Sequence, residues 1–170
     1  KKNYDDQTIL SLIQHPGFIA CVQILYRFRK QANVLDILSQ NVQFFEVIRI
    51  ILIWFQKFYL KYFKTSNSDK NVFRIVQMLV EMVNKVLMFN GFSVAMKLFE
   101  LDIIATLVQC LECNEIFEQS ENLGVKTILT IYYSIEFIAK LFNDQYVKQN
   151  GQNYNLQDLF KGTQKNLFVA

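Results

Sequence analysis

Proline occurs once in this chain of 170 residues, at Pro16, and glycine only five times. A β-sandwich or barrel needs turn punctuation every ten residues or so, most of it from Gly and Pro. Their scarcity argues against such folds and makes helix the expected element. Histidine also occurs once, and no Gly-rich phosphate loop or nucleophile motif is present, so an enzyme active site has little to be built from. Cys21, Cys110 and Cys113 are an odd number without a Cys-dense framework, which points to a reducing compartment rather than a disulfide scaffold. Long apolar runs are missing too. Gln7 to Tyr26 carries no charge but is broken by His15-Pro16-Gly17, and every other apolar run meets a charge within about ten residues. A soluble, cytoplasmic protein is expected, free or within a cytoskeletal or organellar assembly. The net charge of +3 is spread among interspersed acids and bases, which makes a nucleic-acid partner unlikely.

What the chain does have is apolar material, 52% of its residues, arranged in a recurring pattern. Val34, Leu38, Phe44, Val47, Ile48 and Ile51 are each matched sixty positions later, by Val94, Leu98, Ile104, Leu107, Val108 and Leu111. A weaker third copy runs from Tyr146 through Leu156, Leu159 and Phe160, the last three 52 positions after Ile104, Leu107 and Val108. Recurrence on this scale is the mark of stacked helical units, each too small to bury its own apolar face. One helical domain over 1–170 is expected, with units at 1–64, 71–113 and 122–170. Because the chain starts at Lys1 and no polar helix closes either end, it reads as a piece of a longer one.

Capping signals place the elements. Asp5 is an N-cap for a short helix stopped by His15-Pro16-Gly17, and Phe18, Cys21, Val22, Leu25 and Phe28 define a second helix ending near Asn33. A brief helix at Val34 to Leu38 leads into a long one from about Gln43 to Lys64. After the loop at Thr65 to Asp69, Phe73, Val76, Val80, Val83 and Leu87 stripe a helix that ends at Asn90-Gly91. Helices are expected at Val94 to Phe99, Asp102 to Cys113 and about Leu123 to Phe142, the last carrying Val125, Ile128, Leu129, Tyr132, Ile135 and Ile138. Glu112, Glu115, Glu118 and Glu121 form an acidic connection. From Gln149 the tail is rich in Asn, Gln and Gly and is expected to be the least ordered part until Leu156.

Leu98 to Leu111 resembles the junction between the first and second helices of an armadillo repeat, with Ile103, Ile104, Leu107, Val108 and Leu111 at the family's apolar positions. The resemblance covers about two and a half repeats and implies an all-α, right-handed helical solenoid of two and a half to three irregular repeats. The period here exceeds the family's roughly 40–47 residues, so Thr65 to Lys70 and Asn114 to Glu121 would be insertions. Leu101-Asp102 also stands where the family usually has a glycine. In armadillo proteins the third helices line a groove, and an asparagine there holds the backbone of an extended partner. By that resemblance Asn84 is the candidate, with Lys30 at the equivalent position and Gln23, Arg27, Gln77, Glu81, Thr130 and Ser134 on the same face. The plainer account of this face is ordinary solvation.

Arg49, Lys57, Lys61 and Lys64 flank Trp54 and make a basic amphipathic stretch that fits an anionic membrane surface or a calmodulin-type partner. Lysine stems covering the edge of a core helix would give the same pattern. Cys110-x-x-Cys113 has metal spacing, but the only other potential partners are Cys21 and His15, so no metal or cofactor is expected, and Cys110 reads as a small buried side chain. The expected function is a non-enzymatic scaffold in a multi-subunit assembly, binding a protein segment along its helices. The alternative is a peripheral membrane subunit or calmodulin target acting through Trp54 to Lys64.

Overall fold

The computed structural model describes residues 4–59, 70–111 and 122–150. Among these the chain is all-α: α1 (Asp6–Gln14), α2 (Pro16–Arg27), α3 (Ala32–Gln40), α4 (Val42–Trp54) running into a π-helical turn (Phe55–Tyr59), α5 (Lys70–Asn90), α6 (Phe92–Glu100), α7 (Ile103–Leu111) and α8 (Asn122–Asn150). The acidic connection from Glu112 to Glu121, the loop at Thr65 to Asp69 and the tail from Gly151 lie outside the described residues.

Local chemistry accounts for most boundaries. Asp5 accepts the Thr8 amide at 2.7 Å and starts α1. His15 closes α1 and, through Nδ1, accepts the Gly17 amide at 3.1 Å, while Pro16 occupies the first turn of α2, where its missing N–H costs nothing. Asn41 alone separates α3 from α4 and caps α4 by accepting the Phe44 amide at 2.9 Å. Gly91 ends α5 at φ +56°, a conformation L-residues rarely adopt. Asp102 stands at φ +59° between α6 and α7. A left-handed turn is thus made here by an aspartate, one of the few residues that tolerate it.

α5 is the centre. It packs on α1, α2, α3 and α4 from the first half of the chain and on α6 and α8 from the second. Its expected stripe of Phe73, Val76, Val80, Val83 and Leu87 is buried, and so are Val72, Ile75, Met78, Leu79, Met82 and Val86. Such all-round burial belongs to a helix enclosed by neighbours rather than one lying on a surface. α3 and α4 pack on α5 as α6 and α7 pack on α8; α4 also meets α7, and α2 and α8 flank α5. The buried residues form one connected core from Ile9 to Ile138.

The spacing of sixty holds in one place and slips in another. Leu38 and Leu98 are both buried, with Val34 and Val94 one turn earlier. In α4 and α7, Val47 is exposed while its counterpart Leu107 is buried. A spacing of 59 superposes the inward faces: Phe45 with Ile104, Ile48 with Leu107 and Ile51 with Cys110 are all buried pairs. One residue turns a helical face by about 100°. The connection before α7 is Leu101-Asp102, where Asn41 alone precedes α4; the extra residue would lengthen the spacing, so the face of α7 is set by its packing and not by the length of the connection.

Three expectations need correction. α2 stops at Arg27, short of Asn33, because Arg29 Nη1 donates to the Tyr26 carbonyl at 2.9 Å and Phe28 begins a turn; Cys21 on this helix is exposed. α4 gives way to the π turn after Trp54, and residues 60–64 are outside the described set. α8 continues to Asn150, since no Gly or Pro interrupts it between Val125 and that point. On this helix Ile131, Ser134, Ile138 and Ala139 are buried, whereas Leu129 and Tyr132 point to solvent. Ile135 is half-buried, and the side chains of Val125 and Ile128 are not among those described. Phe142 fixes the rotation, packing edge-on against Phe92 at 5.4 Å and Phe99 at 6.1 Å between ring centroids.

Candidate functional site

The expected partner-binding residues fall on three neighbouring helices, α2, α5 and α8, with α5 in the middle. Gln77, Glu81 and Asn84 are spaced by four and three residues and share one stripe of α5, each half-buried. Gln23 and Arg27 are exposed on α2 beside exposed Ile24 and Phe28, and Lys30 is exposed in the turn that follows. Thr130 is half-buried on α8.

Two of the eight residues take other work. Ser134 is fully buried, and its hydroxyl donates to the Thr130 carbonyl at 2.8 Å. This back-bond to the preceding turn lets a serine sit inside an apolar contact without an orphan hydroxyl, and it removes Ser134 from any solvent-facing groove. Glu81 joins α5 to α2. Its Oε1 accepts from Arg29 Nε at 2.9 Å and its Oε2 from the Tyr26 hydroxyl at 2.6 Å. The guanidinium carbon of Arg29 lies 3.9 Å from the centroid of the Tyr26 ring, so the cation is stacked on the ring and paired with the carboxylate at once. Burial, and then the bond to Glu81, push the Tyr26 hydroxyl above its ordinary value of 10.0, against the pull of Arg29 and Arg74.

Since Glu81 points at the end of α2, the Gln77–Asn84 stripe borders the seam between α2 and α5. Around it Arg27, Lys30 and Arg74 are exposed. With Glu81 engaged by Arg29, the corner presents cations to solvent. Tyr26 and Arg29 organise the corner, yet neither stands out in the sequence: each becomes informative only when folding brings Glu81 to it, more than fifty residues away along the chain.

The basic stretch around Trp54 has a different fate. Trp54 is only 4% exposed, within the core. The side chain of Arg49 is 15% exposed and pairs with Glu46 at 2.9 Å, one turn earlier in α4. Lys57 is exposed, and Lys61 and Lys64 lie outside the described residues. No single described helix is long and apolar enough to cross a membrane; the pairs α1–α2 and α3–α4 pass on length and composition but bend by 63° and 77°. Cys110 is buried, Cys113 is not among the described residues, and no group of three or more potential metal ligands occurs among those that are.

Comparison with known proteins finds no family model, no curated protein and no solved structure that matches the chain.

Proposed function

We propose that the chain is a non-enzymatic interaction scaffold, an irregular armadillo-like stack of helical layers that holds an extended, acidic protein segment along the seam between α2 and α5. The observation that supports this reading is a pattern of contacts: α3 and α4 meet α5 as α6 and α7 meet α8, and α5 touches both α2 and α8. A stack of this kind leaves one side of its third helices open to a partner. Here that side carries Gln23, Arg27, Lys30, Gln77 and Asn84, amides for a backbone and cations for carboxylates. Such a subunit belongs in a multi-protein assembly, inside the cell, and needs no cofactor. The burial of Trp54 turns the reading away from a lipid-inserting or calmodulin-binding helix, which would need that indole outside.

Panning a random peptide display library on the purified protein tests this. Enrichment of acidic sequences, with binding lost on Arg27→Glu with Lys30→Glu, weakened on Asn84→Ala and unchanged on Lys57→Glu, is the expected result. Peptides that bind equally well to the Arg27/Lys30 variant, or no enrichment at all, would overturn it.

A further inference from the structure

The first two helices are held differently from the centre of the fold. α2 buries only Val22 of its twelve residues and α1 only Ile9 and Ile13 of its nine, whereas α5 buries eleven of its 21. Phe18, Ile19 and Leu25 of α2 lean half-buried on the core. Apolar burial supplies most of what holds a helix in place, so the pair is loosely anchored and α5 is not. The two helices are nevertheless joined to each other. His15 alone separates them, donating its backbone N–H to the Leu12 carbonyl and accepting the Gly17 amide on Nδ1. Beyond their mutual contact the pair meets chiefly α5, with α1 also reaching α4. α3, which follows the turn at 28–31, is anchored on its own account: Leu35, Leu38 and Ser39 are buried, and Ser39 is bonded to Asn90 and Lys97.

That turn is pinned from outside. Arg29 within it donates through Nε to Glu81 on α5 and through Nη1 to the Tyr26 carbonyl at the end of α2, while the Tyr26 hydroxyl donates to the second Glu81 oxygen. Gln31 precedes α3 without a capping bond from its side chain. The direction in which α2 leaves the turn is therefore set by a carboxylate on another helix. We propose that α1 and α2 swing as one body about the turn at 28–31, and that the Tyr26–Arg29–Glu81 cluster is the lock that holds them closed on α5. The lock can release because the side chains of Arg29 and Glu81 each keep 24% exposure, enough for water to compete for both. Gln23 and Arg27 ride on α2 while Gln77 and Asn84 stay on α5, so the swing opens and closes the seam between them. That consequence rests on the proposed function; the swing itself needs no partner.

Hydrogen exchange read by mass spectrometry on the full chain tests it, comparing the unaltered protein with Arg29→Met, Glu81→Gln and, as a control in the same turn, Lys30→Met. In the unaltered protein the slowest amides of α1 and α2 should share one protection factor, below that of α5. Arg29→Met and Glu81→Gln should speed exchange in α1 and α2 together, by about tenfold for the loss of a charge-assisted pair, and leave α5, α6 and α7 unchanged. Lys30→Met should change nothing. The shared factor is the decisive readout, since α1 contributes no residue to the lock. Faster exchange confined to the residues around Tyr26 and Arg29 would overturn the proposal, as would faster exchange spread through α5 or none at all. Should Arg29→Met fail to fold, Glu81→Gln and the shared protection in the unaltered chain decide the matter. No peptide is present, so failure here is separable from failure of the binding reading.

Discussion

Lys97 and Ser39 stand 58 residues apart in the chain, and the Lys97 ammonium donates to the Ser39 carbonyl at 2.6 Å. Ser39 is in the last turn of α3, where backbone carbonyls have no partner within the helix. It is buried, its hydroxyl donates to the Asp36 carbonyl at 2.7 Å, and it accepts from Asn90 Nδ2 at the same distance. One serine thus ties the end of α3 to the end of α5 and to α6. The residue sixty positions before Lys97 is Ile37, exposed on α3, so this joint has no counterpart at that spacing.

Removing the ammonium should therefore loosen the stack. Lys97→Met keeps the stem and leaves a carbonyl unpaired at the negative end of a helix, a loss of about 1–2 kcal/mol. Lys97→Glu places an anion there and should cost more. The midpoint of urea unfolding orders the two variants, and a Glu variant as stable as Met would contradict the electrostatic account.

The joint between α2 and α5 predicts a pH dependence. The folded state holds the Tyr26 hydroxyl above its ordinary 10.0, so the protonated form is favoured on folding. That contribution is fully present below pH 10.0 and is lost as pH rises through the higher folded value. Alkaline titration of tyrosinate absorbance should show one tyrosine ionising late, and Glu81→Gln should bring it back toward the others. If Tyr26→Phe leaves the late component in place, the assignment fails.

Asp102 and Gly91 separate backbone strain from contact. At Asp102, with φ +59°, a β-branched residue would be forced into the left-handed region, and Asp102→Val should cost about 1–2 kcal/mol, whereas Asp102→Gly fits the turn without strain. The order of melting temperatures, Gly well above Val, is the check.

At Gly91 an added Cβ would meet Leu141 Cδ2 at 3.9 Å, an ordinary contact. The cost of Gly91→Ala is then backbone strain alone, about 1–3 kcal/mol at φ +56° and ψ −127°. Shortening Leu141 should not rescue this variant, as it would if the cause were crowding.

Helix ends and the helical face of α5 were legible from residues alone. Asp5, His15-Pro16 and Asn90-Gly91 act through bonds within a few residues of themselves, so their effect needs no knowledge of distant chain. The stripe from Phe73 to Leu87 was legible because helical spacing alone selects those positions. α8 was not: Leu129, Ile131, Tyr132, Tyr133 and Ile135 put apolar side chains on several faces, and the pattern picks out no single inward direction. Phe142 packing on Phe92 and Phe99 chooses it. Of the candidate face, Arg27, Lys30, Gln77 and Asn84 were legible as polar residues at helical spacing. The withdrawal of Ser134 and Glu81 was not, because it depends on what faces them across an interface.

By itself, then, the amino-acid order determined an all-α chain, where most of its helices begin, and the recurring spacing that suits layers. Those properties rest on local backbone bonds and periodicity. Only the tertiary structure decided that α5 is enclosed, that α7 is turned by one residue relative to α4, and that Trp54 is inside. These depend on which surfaces meet, since a side chain's burial is fixed by its neighbours in space and not by those along the chain.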